Sequence, residues 1–317
     1  MRQDLRGPSR PQSMTEDLAS LRRNLRPVGT LAVVLIDVTV AQPVERGERI
    51  GLGVAGETPG ADGRADQVHR TAQPGQQLAH DDPVQAVQHQ PFCAAGGIGQ
   101  ALALRWACEG ARIAMLDFEA DHLAEAASSL ASAGAEVFPV EADVTDYASC
   151  NRAVEAVISH FGRIDVLVNN AGTVHRSAFV DTDIAVYRKV MEVNFFGSLN
   201  CSKAALPHLL ERRGLIVVIS SIAGVAPLYG RTGYAASKHA LHGLFESART
   251  ELQERGVRVM LACPNFTRSP FEQRAMGADG QPAGTQRSMT GRLAEPGEVA
   301  AAVVAGAQRG KNLLVLT

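Results

Sequence analysis

Tyr234 and Lys238 lie four residues apart in "YAASKHALHGLFESARTELQERG". That stretch is predicted to be a helix, so both side chains share one face. A free phenol, with a pKa of about 10, is a poor acid–base catalyst near neutrality. A neighbouring ammonium stabilises the phenolate and lowers that value. Ser221 ends the aliphatic run "LIVVISS" and is placed to hold a substrate oxygen beside the phenol. Asn194 lies in the long helical stretch "DIAVYRKVMEVNFFGSLNCSKAALPHLLERRG". Its amide can interrupt helix geometry and hold a water near Lys238; an ordinary polar residue on a helix is the equal alternative. Tyr229 is a competing phenol, but four residues on stands Gly233, not a lysine. A lone Tyr-x-x-x-Lys pair is usually a solvated helix face; the strand-end serine and a glycine turn upstream tip the reading toward proton exchange.

That turn is "AAGGIG", where Gly96, Gly97 and Gly99 precede a helix. Glycines let a backbone approach a pyrophosphate, and a helix N-terminus favours the negative charge. Asp117 ends the next strand, "RIAMLDF", near the roughly 20-residue spacing of a ribose-binding acid. A carboxylate there accepts from ribose hydroxyls and repels a 2′-phosphate, which favours NAD(H) over NADP(H). The alternative is that Asp117 only caps the following helix. Asp143 in "ADVTD" can accept from an adenine amino group, and Asn169 to Gly172 form a turn where a cofactor would pass. Either is equally ordinary turn chemistry.

The elements that would position these groups alternate. Strands are predicted at "RIAMLDF", "EVFPVEADV", "IDVLVNNAG", "LIVVISS", "VRVMLACP" and "NLLVLT", with helices between them. Most strands are continuous aliphatic runs, the pattern of a parallel sheet covered on both faces. Ligands bind such sheets at the carboxyl ends of the strands. The expected fold is α/β, a Rossmann-type doubly wound parallel sheet.

The region before Phe92 differs. It contains no Phe, Tyr, Trp or Lys. Residues 41–91 are rich in Gly, Pro, Gln, Asp and Arg. Such a segment buries too little to offset a backbone ordering cost of about 1–2 kcal/mol per residue. Residues 1–91 are therefore read as a disordered or irregular extension and 92–317 as the dinucleotide-binding domain. Two short exceptions are a helix around "MTEDLASLRRNL" and a strand at "LAVVLIDVTV".

Net charge is −2, which gives no footprint for nucleic acid and no polybasic membrane signal. The five cysteines are dispersed without metal spacing, which points to reduced thiols and a cytoplasmic setting. "LAVVLIDVTVA" is too short to span a bilayer and makes a poor secretory signal.

Together "AAGGIG", "NNAG", "NFFG", "ISS" and "YAASK" resemble the short-chain dehydrogenase/reductase family over about residues 93–317. The resemblance implies hydride transfer between a nicotinamide and an alcohol or ketone. It implies Tyr234 as general acid–base, Ser221 as substrate orienter, Lys238 on the ribose hydroxyls and phenolate, and Asn194 in a proton relay. Implied cofactor contacts are Gly97, Ile98, Gly99, Asp117, Asp143, Val144, Asn170, Ala171, Gly172, Tyr234, Lys238 and Pro264. A homo-dimer or homo-tetramer through helices at about 200–213 and 234–255 is implied as well.

The chain departs from the family pattern at its start. Phe92 and Cys93 replace the threonine and first glycine of the turn. The first strand is missing or replaced: its place holds the polar "VQAVQHQ". "LAVVLIDVTV" can fill the gap only if about fifty residues loop out, which is uncommon. A wrongly joined segment before residue 92 is another account. These departures leave an alternative to an active enzyme: an impaired homologue serving as a binding or assembly module.

Overall fold

Ala32–Ile36 forms β1 in a computed structural model that describes residues 32–36, 97–284 and 292–316. This aliphatic run takes the central position in the sheet. It pairs in parallel with β2 (Arg112–Asp117) on one side and β4 (Val166–Asn169) on the other. Val33 sits opposite both Ile113 and Val166 and is completely buried. The physical reason is burial. A central strand covered on both faces must be apolar, and "AVVLI" satisfies that where "VQAVQHQ" does not. A long connection is no strong objection, since doubling a loop costs only about 0.6 kcal/mol. The remaining expectations before Gly97, including the helix around residues 14–25, fall outside the described residues.

The other strands are β3 (Val137–Glu141), β5 (Leu215–Ile219), β6 (Arg258–Cys263) and β7 (Leu313–Val315). The sheet order is β3-β2-β1-β4-β5-β6-β7, with every pairing parallel. These strands belong to one compact unit, Met1–Val44 with Phe92–Thr317.

Alternate strand residues feed opposite faces, as the two-residue strand period requires. Ile113, Met115, Leu215, Val217 and Met260 pack with Leu102, Trp106, Leu123 and Val303. These come from α1 (Ile98–Cys108), α2 (Ala120–Ser132) and α7 (Pro296–Gln308). Ala114, Leu116, Ile216, Val218 and Leu261 pack instead with Val154, Leu209, Leu241 and Phe245. These belong to α3 (Tyr147–Phe161), α5 (Gly197–Arg212) and α6 (Thr232–Gln253).

Local signals set the helix ends. The Asp146 carboxylate accepts from the Ala148 and Ser149 amides at the start of α3, and Gly162 ends it at φ 74°. Glu295 and Glu298 form a reciprocal capping box ahead of α7. The long helical stretch is not uniform. It runs as α4 (Ile184–Met191), a π-helical turn over Glu192–Phe196, then α5. Asn194 sits in that turn, where the sequence reading expects helix geometry to break.

Candidate active site

The strand order reverses between β1 and β4, and a doubly wound sheet opens a crevice at such a point. An open cleft of about 980 Å³, counting space continuous with solvent, lies there. Its wall includes Gly97, Ile98, Asn170, Gly172, Ser221, Tyr234, Lys238 and Pro264. Residues as far apart in the chain as Gly97 and Pro264 are therefore brought to one place by strand ends and helix starts.

Tyr234 and Lys238 stand one turn apart on α6, both buried. The Lys238 ammonium lies 5.7 Å from the Tyr234 ring centre. It donates to the Ile219 carbonyl at 2.9 Å, which anchors it to the end of β5. Burial pulls the Lys238 ammonium down to about 8, with Cys263 acting the other way. Burial pushes the Tyr234 phenol up to about 12; a hydrogen bond with Ser221 and the charge of Arg231 oppose the rise, and Glu272 adds to it. Burial thus favours the protonated phenol, and positive charge beside it favours the phenolate.

Ser221 caps a 3₁₀ turn at Ile222–Gly224, accepting from the Ala223 amide at 3.1 Å. That leaves its own hydroxyl hydrogen for a donor role. The Ile222 amide donates to the Pro264 carbonyl at 2.9 Å, tying this turn to the loop after β6.

Asn194 is fully buried, and its amide is engaged within the protein. Its Oδ1 accepts from the Thr173 amide at 2.7 Å; its Nδ2 donates to the Thr173 carbonyl at 3.0 Å and to Ser237 Oγ at 2.8 Å. The side chain thus joins the turn after β4 to α6, where the sequence reading expects it to hold a water. It remains near Lys238: a Cβ built on Gly172 would lie 3.4 Å from Asn194 Oδ1 and 3.7 Å from Lys238 Nζ.

The remaining expected cofactor residues separate into groups. Gly97 precedes α1 in extended backbone, and among the described residues a Cβ added there would meet nothing within 4 Å. The backbone N–H groups of this helix N-terminus are of the kind that bind a phosphate. Asp117 lies at the end of β2 and accepts from the Glu119 amide at 3.0 Å. Asp143 Oδ1 accepts from both the amide and the hydroxyl of Thr145, a local turn bond. Val144 and Ala171 are core residues; Val144 packs where a Cβ on Gly197 would lie only 2.7 Å away. Gly99 is buried within α1. Tyr229, the rival phenol, is 96% exposed and outside the cleft wall.

Sequence reasoning missed a charged group on the same wall. Arg231, three residues before Tyr234, is almost completely buried and grips Glu272 with both guanidinium nitrogens. Glu272 lies on a 3₁₀ turn, Pro270–Arg274, that covers the cleft with Phe271. His175 was missed as well. It accepts from the Gly233 amide at 2.9 Å, and burial followed by the charge of Arg231 lowers it to about 4, so it is neutral at pH 7. The only local signal was the spacing of Arg231, one turn before Tyr234.

A sequence profile described as short chain dehydrogenase matches residues 92–278. The chain belongs to the short-chain dehydrogenase/reductase family. Dehydrogenase/reductase SDR family member 7B from Bos taurus is 34% identical over 230 residues, covering 70% of this chain and 71% of that protein. SDR family member 7 from Homo sapiens is 40% identical over 146 residues, covering 45% of this chain and 43% of that protein. Among solved structures, an alcohol dehydrogenase from Thermococcus sibiricus complexed with 5-hydroxy-NADP is 26% identical with a TM-score of 0.62, covering 70% of this chain and 92% of that one. A Burkholderia phymatum family member in complex with NAD, 24% identical with a TM-score of 0.63 over 70% of this chain and 85% of that one, shares the fold.

This short-chain dehydrogenase/reductase is thus an oxidoreductase by family, with the Rossmann-type fold of its neighbours. One expectation is corrected. The cytoplasmic placement rested on dispersed cysteines and a weak leader, whereas the matching members 7 and 7B are membrane-associated. Among the described residues, no helix is long and apolar enough to cross a membrane.

Proposed function

We propose that this protein transfers a hydride between NAD(H) and an alcohol or ketone, with Tyr234 exchanging the accompanying proton. The observation that carries the reading is one wall holding the Tyr234 phenol, the Ser221 hydroxyl and the Lys238 ammonium beside the Gly97 and Gly172 turns. Two features support a cofactor here: Gly97 opens α1 with no described atom within 4 Å of a built Cβ, and Gly172 lies beside Asn194 Oδ1 and Lys238 Nζ. When bound, the nicotinamide supplies the hydride acceptor or donor and, oxidised, a positive ring.

Ser221 donates to the substrate oxygen and holds it beside the phenol. Tyr234 takes the hydroxyl proton during alcohol oxidation and returns it to the carbonyl oxygen in reduction. Lys238 stabilises the phenolate and, with Gly172 alongside, holds the ribose hydroxyls. Asn194 fixes the Thr173 backbone and, through Ser237, the turn of α6 between Tyr234 and Lys238.

Asp117 supports NAD(H) over NADP(H). No Lys or Arg occurs between Arg112 and Arg152, so the β2 end offers a 2′-phosphate a carboxylate and no cation of its own. A homo-dimer or homo-tetramer through the outer faces of α5 and α6 belongs to the same proposal. Light scattering that gives a monomer mass would remove that part.

NADH and NADPH titrations followed by fluorescence test the core reading, together with Tyr234→Phe. NADH should bind more tightly than NADPH. The variant should keep NADH binding within about twofold and lose turnover by at least about a thousandfold. Undiminished turnover in the variant would remove Tyr234 from its role.

A further inference from the structure

The charges closest to the reacting groups, apart from Lys238, neutralise each other. Arg231 is 2% exposed, and both its terminal nitrogens donate to the Glu272 carboxylate, one at 2.9 Å to Oε1. This fork-on-fork arrangement is how arginine recognises a carboxylate from any source. A second arginine converges on the same residue: Arg176 donates to the Glu272 backbone carbonyl at 2.7 Å and lies 3.7 Å from its Oε2. Arg231 and Glu272 line the same cleft as Tyr234 and Ser221. Leu228, Ile222 and Phe271 add apolar wall, the Phe271 ring centre lying 6.0 Å from that of Tyr234, and Arg274 lines the same cleft.

We propose that Glu272 is a specificity-determining residue that fills, from within the chain, an arginine subsite for a substrate carboxylate, so that the cleft admits neutral carbonyl compounds and excludes anionic ones. The proposal deepens the hydride-transfer reading and rests on it. A buried guanidinium beside a reacting centre would otherwise draw any ligand carboxylate that reached it. With Glu272 in place, such a ligand must displace a bidentate partner already held at high local concentration, while its own charge faces Glu272. A neutral ketone meets Arg231 and Glu272 as a mutually neutralised pair and has no charge with which to displace either.

The same geometry makes the idea separable from simple loss of structure. Removing the Glu272 side chain leaves the Arg176 bond to the backbone carbonyl intact, so the Pro270–Arg274 turn keeps a tether. Arg231 then stands open toward the cleft with its positive charge unmatched.

The test is calorimetric binding of acetophenone and 4-acetylbenzoate to the full chain, without cofactor and with no turnover required. In the wild-type protein acetophenone should bind at least as well as the carboxylate. Glu272→Ala should tighten 4-acetylbenzoate at least tenfold and change acetophenone by less than threefold. Glu272→Gln keeps the size of the side chain and should give a smaller gain of the same sign. Adding Arg231→Leu to Glu272→Ala should abolish the gain. An unchanged preference, or no carboxylate binding by either variant, overturns the proposal. Failure of the hydride-transfer reading would instead appear as absent turnover of every ketone, with the binding preference still inverted.

Discussion

Lys238 shows how burial and function pull in opposite directions. Its folded value of about 8 lies below its ordinary 10.5 because the ammonium is taken out of water. Below pH 8 the lysine is charged in both states, and the folded protein bears the full desolvation cost. Between pH 8 and 10.5 the unfolded chain binds more protons than the folded one, so stability rises with pH. Lys238→Met should therefore be more stable than wild type at pH 7 and should lack that rise. Urea midpoints at pH 7 and pH 9.5 check both points. Tyr234, Ser221 and Lys238 were legible in the sequence because the pair is local and the serine ends an aliphatic run. Arg231 and Glu272 were not, since forty-one residues separate them and only the tertiary fold brings them together.

Among the elements, ends were more legible than interiors. Gly162, a glycine directly after an amphipathic run, stops α3 at φ 74° with no described atom within 4 Å of a built Cβ. Gly162→Ala therefore isolates backbone strain from crowding. It should cost about 1–2 kcal/mol, read from the denaturant midpoint. The π turn over Glu192–Phe196 was visible only as a long helical stretch with an asparagine inside it. Periodicity cannot reveal one extra residue per turn, because the apolar pattern on either side continues. Asp143 and Val144 show a second limit. The strand-end "DV" also has local work that its spacing did not announce: Asp143 Oδ1 closes a turn on Thr145 and the Val144 side chain packs against Gly197, which leaves Asp143 Oδ2 and the Val144 backbone for the expected cofactor contacts.

For the molecule as a whole, the least expected feature is the origin of the central strand. Val33 contributes to the face formed by α1, α2 and α7, and its neighbours in the sheet are Ile113 and Val166. Val33→Asp would bury an unpaired carboxylate between two strands and should destabilise the fold by more than about 4 kcal/mol. Loss of soluble protein or of a cooperative thermal transition would register this; an unchanged transition would show that β1 contributes little. The alternation of aliphatic runs and amphipathic helices already dictated a parallel, doubly wound sheet, because each run demands cover on both faces and each helix offers one apolar stripe. The Tyr–Lys spacing likewise dictated a shared helix face. Which segment entered the centre of the sheet, and which carboxylate met Arg231, followed from three-dimensional packing alone. Both are contests for buried space among residues far apart in the chain, and local order carries no record of who wins them.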